Sequence, residues 1–125
     1  MPRIADYFVV RRATFDLGPG EESSAMTFTI HSDLVANRAE EGPVLSYQCR
    51  PLSDQAVSLR IDISGDNIEN VTISVNTVRA MWKTFDANLL HPGLGADNNV
   101  KFRNTGGGGI RISDVIVWYQ RMIVA

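Results

Sequence analysis

The sequence has little of what most enzymes and metalloproteins depend on. Cys49 is its one cysteine, which excludes an intrachain disulfide and a thiolate metal cluster. His31 and His91 are its two histidines and lie far apart in the chain. No Gly-x-Ser-x-Gly or His-Glu-x-x-His motif occurs, and the glycine run at 106–109 lacks the lysine that follows in a phosphate-binding loop. We therefore expect a protein that is not an enzyme.

Excess charge of one sign and long apolar runs are also lacking. Twelve basic and 14 acidic residues give a formal net charge of −2, without the basic stripe that DNA or RNA binding requires. No apolar run reaches membrane length, and the first residues contain no hydrophobic signal core. We expect no nucleic-acid partner, no membrane insertion and synthesis in the cytoplasm. Export would then follow a non-classical route or occur as part of a particle.

What the sequence does contain is apolar residues alternating with polar ones over short segments. The clearest alternation runs from Val57 to Ile63, and the segment 44–50 places Cys49 among the apolar residues of one face, as a buried thiol. The turn Ser64-Gly65-Asp66-Asn67 predicts a hairpin, with a loop longer than the tight two-residue type. The one helical pattern, from Ser32 to Gly42, is short. Seven to nine strands in one domain, 1–125, predict an all-β fold, an antiparallel β-sandwich of jelly-roll type.

The stretch from Asn98 to Met122 reads as a C-terminal hairpin. Its first limb alternates around Val100 and Phe102, and four glycines at 106–109 provide the reversal as a flexible tip. From Val115 to Tyr119 the second limb is apolar at every position, which is typical of a strand covered on both faces. The sequence therefore predicts that Trp118 lies in the core.

Trp82 raises the possibility of sugar binding. Met81 and Trp82 are neighbours in a predicted strand, so one points inward and the other outward, and an inward Trp82 remains the alternative. An exposed tryptophan beside amide-rich loops is typical of glycan sites, because the ring stacks on the apolar face of a sugar while polar groups bind its hydroxyls. The residues expected to converge in such a site are Trp82, His91, Asp97, Asn98, Asn99, Arg103 and Asn104.

A second oxygen-rich group predicts a different ligand. Calcium takes six to eight oxygen ligands, which acidic surface turns can supply. The spacing here does not match the helical calcium loop, and a merely solvated turn remains the alternative. The candidate calcium ligands are Asp62, Asp66, Asn67 and Glu69.

The C-terminal third resembles a known family. The stretch from Phe85 to Gly93, followed by Asn98 to Arg103, looks like the Leu-x-Pro-Gly…Asn-x-Val-x-Phe stretch of galactose-binding-like jelly-roll domains. The closing segment from Ile112 to Tyr119 is similar to their last strand. Members include lectins and carbohydrate-binding modules, so the resemblance implies a jelly-roll fold and a binding role. An insertion, Leu94 to Asp97, departs from the family pattern. For this reason the resemblance carries over the fold but no individual binding residue.

Two functions are therefore compatible with the sequence. The first is a lectin-like module that recognises a glycan through end-loops, including the one from Leu89 to Asn99. The alternative is a structural subunit that assembles into a capsid, fibre or appendage, since exposed edge strands pair readily with neighbours. We expect a homo-oligomer, and calcium is the one cofactor considered.

Overall fold

The structure, a computed structural model, describes residues 3–31, 42–74, 77–93 and 97–122. Within these ranges the chain forms nine β-strands and a short 3-10 turn at Ala87–Leu89. No helix in the described ranges is long and apolar enough to cross a membrane. The predicted helical segment 32–42 lies, except for Gly42, outside the described residues. The strands are β1 Arg3–Arg11, β2 Phe15–Leu17, β3 Met26–Thr27, β4 Val44–Pro51, β5 Val57–Ile63, β6 Asp66–Ile73, β7 Arg79–Thr84, β8 Asn99–Asn104 and β9 Ile110–Met122.

The strands form two antiparallel sheets that pack face to face. Sheet A has the order β1-β9-β4-β7, with β2 pairing a further stretch of β9, and sheet B has the order β3-β8-β5-β6. The all-β sandwich of jelly-roll type predicted from the alternating pattern is therefore confirmed. The predicted number of strands, seven to nine, matches the nine strands in the described ranges.

Alternate residues of each strand build the core between the sheets. Val57, Leu59, Ile61 and Ile63 of β5 are all buried, as their spacing predicts. Full burial of such a side chain stabilises the fold by about 1.5–3 kcal/mol relative to exposure. Tyr47 from sheet A meets Phe102 from sheet B edge to face, with ring centroids 5.3 Å apart.

Cys49 belongs to the same core. Its side chain is buried on the inner face of β4, which confirms the predicted structural thiol. Burial raises the pKa of this thiol to about 11, so the thiolate form is scarce at neutral pH. A reactive nucleophile would need the opposite shift.

The predicted C-terminal hairpin is wrong. β8 pairs with β3 and β5 in sheet B, whereas β9 pairs with β1, β2 and β4 in sheet A. The glycine run therefore carries the chain from one sheet to the other. A Cβ on Gly106 would lie 2.5 Å from the backbone nitrogen of Ser58, and one on Gly108 would lie 2.7 Å from the carbonyl oxygen of Gln55. These glycines allow close backbone packing rather than forming a flexible tip.

The hairpin between β5 and β6 does form, with a tighter loop than predicted. Only Ser64 and Gly65 separate the two strands. Both have positive φ, 49° and 88° respectively, the geometry in which a two-residue turn matches the twist of its strands. Further along the hairpin, a register shift between Ile61 and Asp62 leaves Ile68 without a cross-strand partner.

Candidate functional site

The outer face of sheet A is apolar along one half of its length. Leu45 and Val117 are buried, so the residues on either side of them in β4 and β9 point away from the core. These outward residues lie opposite one another across neighbouring strands. One row consists of Tyr7, Trp118, Val44 and Thr84, and the next of Val9, Ile116, Ser46 and Trp82. We call these two rows the aromatic face. Neither row contains a charged side chain.

Three aromatic side chains dominate the aromatic face. Trp82 is 70% exposed, Tyr7 56% and Trp118 40%. The rings of Tyr7 and Trp118 lie 5.2 Å apart at a tilt of 38°, and the indole Nε1 of Trp118 donates to Ser46 Oγ at 2.8 Å. Packing against Tyr7 and this hydrogen bond fix the orientation of the Trp118 ring, so the surface is ordered before any ligand arrives.

The structure corrects the sequence prediction for Trp118. The run from Val115 to Tyr119 is apolar at every position, yet β9 is covered on one face only in the described part of the chain. Val115, Val117 and Tyr119 are buried between the sheets, while Trp118 is exposed on the outside. The apolar run therefore reflects two apolar faces of β9, and the described residues leave the outer face exposed to solvent.

Trp82 also points outward, which resolves the alternative left open by the sequence. It lies on β7, the edge strand of sheet A, opposite Ser46. Its neighbours Met81 and Lys83 turn toward the inner side, where Lys83 Nζ lies 3.8 Å from Glu69 Oε2 of sheet B. This contact links β7 of sheet A to β6 of sheet B. The Trp82 ring lies on the opposite side of β7 and does not pack in the core.

The end-loop residues are arranged around a buried amide. Asn98 is 1% exposed, and its side chain accepts from the backbone N–H of His91 and donates to the His91 carbonyl, both at 2.7 Å. The Asn98 amide is therefore occupied in holding the loop. The side chains of His91 and Asp97 remain exposed at this end of the sandwich.

Asn104, at the other end of β8, is likewise internal. Its amide nitrogen donates to the carbonyls of Leu17 at 3.2 Å and Gly108 at 2.6 Å, and its oxygen accepts from the Gly106 N–H at 3.0 Å. The side chain is fully buried. Asn104 thus fastens the glycine run and β2 to sheet B.

Asn99 and Arg103 point to a third location, the outer face of sheet B. Arg103 is exposed there and pairs across the strands with Arg60. Trp82 faces outward from the opposite sheet, so the seven candidate residues do not converge on one surface. Alternation along β8 decides this, because Val100, Phe102 and Asn104 take the inner side and the residues between them the outer side.

The outer face of sheet B is polar, and most of its charges are paired within the face. Arg60 Nε lies 3.1 Å from Asp62 Oδ1, and Lys101 pairs with Glu22. The hydrogen bond from Lys101, with a smaller contribution from the charge of Arg103, lowers the pKa of Glu22. These groups satisfy one another without a ligand.

The four candidate calcium ligands do not meet at one point. Asp62 Oδ1 already accepts from Arg60 and from Asn67 Nδ2, whereas Glu69 lies on the inner side near Lys83. In the described part of the chain, no group of three or more His, Cys, Asp or Glu side chains is placed to hold a metal ion. Calcium binding by this turn stays a prediction.

A hollow of about 170 Å³ continues the outer face of sheet A beyond the aromatic face. Arg50 and Arg111 stand opposite each other there, on β4 and β9. Arg111 donates to both carboxylate oxygens of Asp16, at 2.8 and 3.1 Å, which lowers the pKa of Asp16 and raises that of Arg111. Among the described residues, no carboxylate lies within salt-bridge distance of Arg50. The hollow is lined by Thr14, Gln48, Cys49, Arg50, Val78, Arg111 and Ser113.

We name this pocket the arginine hollow. Sequence reasoning did not single it out, although part of the signal was present. Alternation in the segment 44–50 places Gln48 and Arg50 opposite the face of Leu45, Tyr47 and Cys49. The pairing of Arg50 with Arg111 was not visible, because it joins two segments that are distant in the chain.

Comparisons with known proteins identify the fold and no family. No protein-family model matches this chain, and no curated protein matches it at a significant level. Among solved structures, the C-terminal domain of EclA, described as a sugar-binding protein, is similar with a TM-score of 0.54 at 13% identity, over 93% of this chain and 79% of that one.

Two larger proteins contain a similar unit. The β-porphyranase BpGH86A of the gut bacterium Bacteroides plebeius, from glycoside hydrolase family 86, matches with a TM-score of 0.62 at 19% identity over 98% of this chain. Dimeric latent PorU from Porphyromonas gingivalis matches with a TM-score of 0.63 at 9% identity over 97% of this chain. This chain spans 21% of the porphyranase and 13% of PorU, so each likeness concerns a small part of a larger protein. At these identities the likeness shows the fold alone.

Proposed function

We propose that this domain binds carbohydrate, without transforming it, through the aromatic face of sheet A. The observation that carries the proposal is the 70% exposed Trp82 on the same ordered sheet face as Tyr7 and Trp118. The proposed binding surface is the face of the sheet and not the end-loops, because two of the candidate amides there form hydrogen bonds with the protein's own backbone.

The chemistry of the aromatic face suits a sugar. The apolar face of a pyranose ring stacks on an indole or phenol ring, while its hydroxyls need donors and acceptors at the edge of the contact. Ser46 and Thr84 lie in the same two rows as the aromatic rings, and Gln48 follows on β4. Trp82 and Trp118 are two strands and one row apart, a separation of roughly 12 Å between their backbones. Two rings at that spacing favour an oligosaccharide over a single sugar unit.

The concentration of exposed apolar groups also supports a binding role. Of the five large apolar side chains that the described part of the chain leaves exposed, Tyr7, Trp82, Trp118 and Val78 lie on the outer side of sheet A or line its hollow. Contiguous apolar surface of this kind usually marks an interaction site. The EclA domain, which shares the fold, is a sugar-binding protein, and the porphyranase that contains a similar unit is a glycoside hydrolase.

The test uses the protein's own tryptophans as probes. Both tryptophans of the chain lie on the aromatic face, so their fluorescence reports that surface directly. A glycan array, followed by titration with simple sugars and oligosaccharides with and without calcium, should give a saturable fluorescence change. Trp82→Ala should weaken affinity by on the order of 30-fold, as for other central aromatic contacts, and Trp82→Phe by less.

Thr72→Ala, on the exposed outer side of sheet B, is the matched surface control and should leave affinity unchanged. The absence of binding to every glycan, with and without calcium, would contradict the proposed function. Binding that survives Trp82→Ala but is lost with His91→Ala would place the site at the end-loop and contradict the location proposed here.

A structural subunit is the second candidate, favoured by the edge of sheet A. In the described part of the chain β7 pairs only with β4, which leaves its other edge available to a neighbouring strand. Size-exclusion chromatography with light scattering separates the two functions. Filaments or shells that grow with concentration would support assembly, whereas a monomer or small closed oligomer would support the binder.

A further inference from the structure

We infer that the glycan bound by this domain is acidic, and that Arg50 in the arginine hollow receives its carboxylate or sulfate group. This inference rests on the proposed function and adds the class of ligand. It concerns a part of sheet A that no sequence motif marked.

Arg50 belongs to a pair of like charges. Arg50 and Arg111 are directly opposite across β4 and β9, a cross-strand arrangement that destabilises a sheet when the charges are not compensated. Asp16 compensates Arg111 with two hydrogen bonds. No described carboxylate compensates Arg50, and its exposed side chain lines the wall of the hollow.

The chemistry of the hollow suits an anionic group. A guanidinium offers a planar fork of donors that matches the oxygens of a carboxylate or sulfate. Gln48 and Ser113 stand opposite each other beside the arginine pair and supply further polar groups for hydroxyls. Val78 forms an apolar part of the lining. The hollow thus combines one uncompensated cation with neutral polar groups, as a charged sugar unit requires.

The hollow and the aromatic face lie along the same strand, β4. Ser46, the cross-strand partner of Trp82, and Arg50 both point outward from β4, four residues apart. At the rise of an extended strand this separates them by roughly 13 Å. The unit stacked on Trp82 and the unit carrying the anionic group would then be different members of one oligosaccharide lying along the strand.

Sheet B provides an internal reference. Arg103 pairs across the strands with Arg60, and here too one arginine, Arg60, has a carboxylate partner while the other has none within salt-bridge distance among the described residues. Arg103, however, lies on the polar face, with Glu22 close enough for its charge to contribute to the lowered pKa of that carboxyl. Among the described residues, no aromatic ring adjoins it on that face. Arg103 is therefore a matched arginine without the features that define the proposed site.

The experiment compares three oligosaccharides of equal length: a neutral galacto-oligosaccharide, an oligogalacturonate and a sulfated galactan fragment. Affinities are measured by tryptophan fluorescence and calorimetry at low and high salt. The wild type should bind at least one of the two acidic probes about tenfold more tightly than the neutral probe, with a preference that weakens as salt rises. The two acidic arms decide between carboxylate and sulfate.

Arg50→Gln should remove the acidic preference, so that the acidic and neutral probes bind with about equal affinity. Arg50→Lys keeps the charge without the fork and should retain part of the preference. Arg103→Gln should behave as the wild type. Circular dichroism of each variant verifies that the sheets are intact.

Equal affinity of the wild type for acidic and neutral probes would overturn the inference, as would an acidic preference that survives Arg50→Gln. Loss of the preference in Arg103→Gln would overturn it in favour of sheet B. These outcomes differ from failure of the proposed function itself, which would appear as no binding of any probe or as affinity for the neutral probe that does not depend on Trp82.

Discussion

The outer faces of the two sheets differ in chemical character, although both sheets consist of antiparallel strands. On sheet B the outward residues are polar or charged, and several of the charges pair with one another, as in the pairs Arg60–Asp62 and Lys101–Glu22. On sheet A the outward residues include two tryptophans and a tyrosine. Alternation needs only one apolar face for folding. A second apolar face is therefore a feature that folding does not explain, which is why we assign function to sheet A.

The comparison extends to individual residues. In the described part of the chain each sheet carries one pair of arginines opposite each other, and in each pair one arginine forms an ion pair with a carboxylate. On sheet B the remaining arginine lies among polar groups and near Glu22. On sheet A the remaining arginine lines a hollow that continues from aromatic rings. The two arginine pairs thus lie in different surroundings. For this reason we consider Arg50 a candidate ligand-binding group and Arg103 a surface charge.

The largest predicted effect concerns the interior that both faces share. Asn104→Ala removes three hydrogen bonds from a fully buried side chain to the backbone of Leu17, Gly106 and Gly108, so unfolding free energy should fall by about 3 kcal/mol. Asn99→Ala, on the same strand but facing outward, is the control and should change stability by about 0.5 kcal/mol or less. Urea denaturation measures both. Equal effects of the two substitutions would contradict the division of β8 into an inner and an outer side.

A smaller effect is expected for the hydrogen bond that orders the aromatic face. Trp118→Phe and Ser46→Ala each remove the Nε1–Oγ contact. Because a half-exposed hydrogen bond is worth little net, each change should reduce stability by about 1 kcal/mol, and a double-mutant cycle should give a coupling of about 0.5–1 kcal/mol. Additive effects in that cycle would mean that the two side chains act independently.

The smallest effect is expected on the polar face. Arg60→Gln breaks the ion pair with Asp62 in a solvent-exposed setting, so the loss of stability should be about 0.5 kcal/mol or less and should shrink further at high salt. Denaturation at two salt concentrations provides the measurement. A loss above about 1 kcal/mol that does not depend on salt would contradict the expectation that this ion pair is weak and screened by solvent.

The sequence predicted side-chain direction well and neighbours poorly. The alternation from Val57 to Ile63, the buried Cys49 and the hairpin from β5 to β6 follow from local patterns, and the structure confirms each of them. The hairpin predicted around the glycine run is wrong. Residues 99–104 and 110–122 are adjacent in the chain and look complementary, yet each finds better partners in distant segments.

The candidate site illustrates the same limit of local reasoning. Asn98 and Asn104 had the chemistry expected of ligand-binding amides, and nothing in the residue pattern distinguishes an amide that binds a sugar from one that binds its own backbone. Burial makes that distinction, since both side chains lie inside the protein. Trp82 and Trp118 show the converse, because their exposure depends on which faces the sheets turn toward each other.

The sequence by itself determined that this protein is a two-sheet sandwich and which side chains of each strand share a face, because strand periodicity is a property of consecutive residues. Only the tertiary structure decided which strands are neighbours. Pairing of β9 with β1 and β4 aligns Tyr7 and Trp118 and places Trp82 and Ser46 in the next row, and pairing of Arg50 with Arg111 forms the hollow. Those contacts join segments far apart in the chain, and their energies arise only when the sheets have formed.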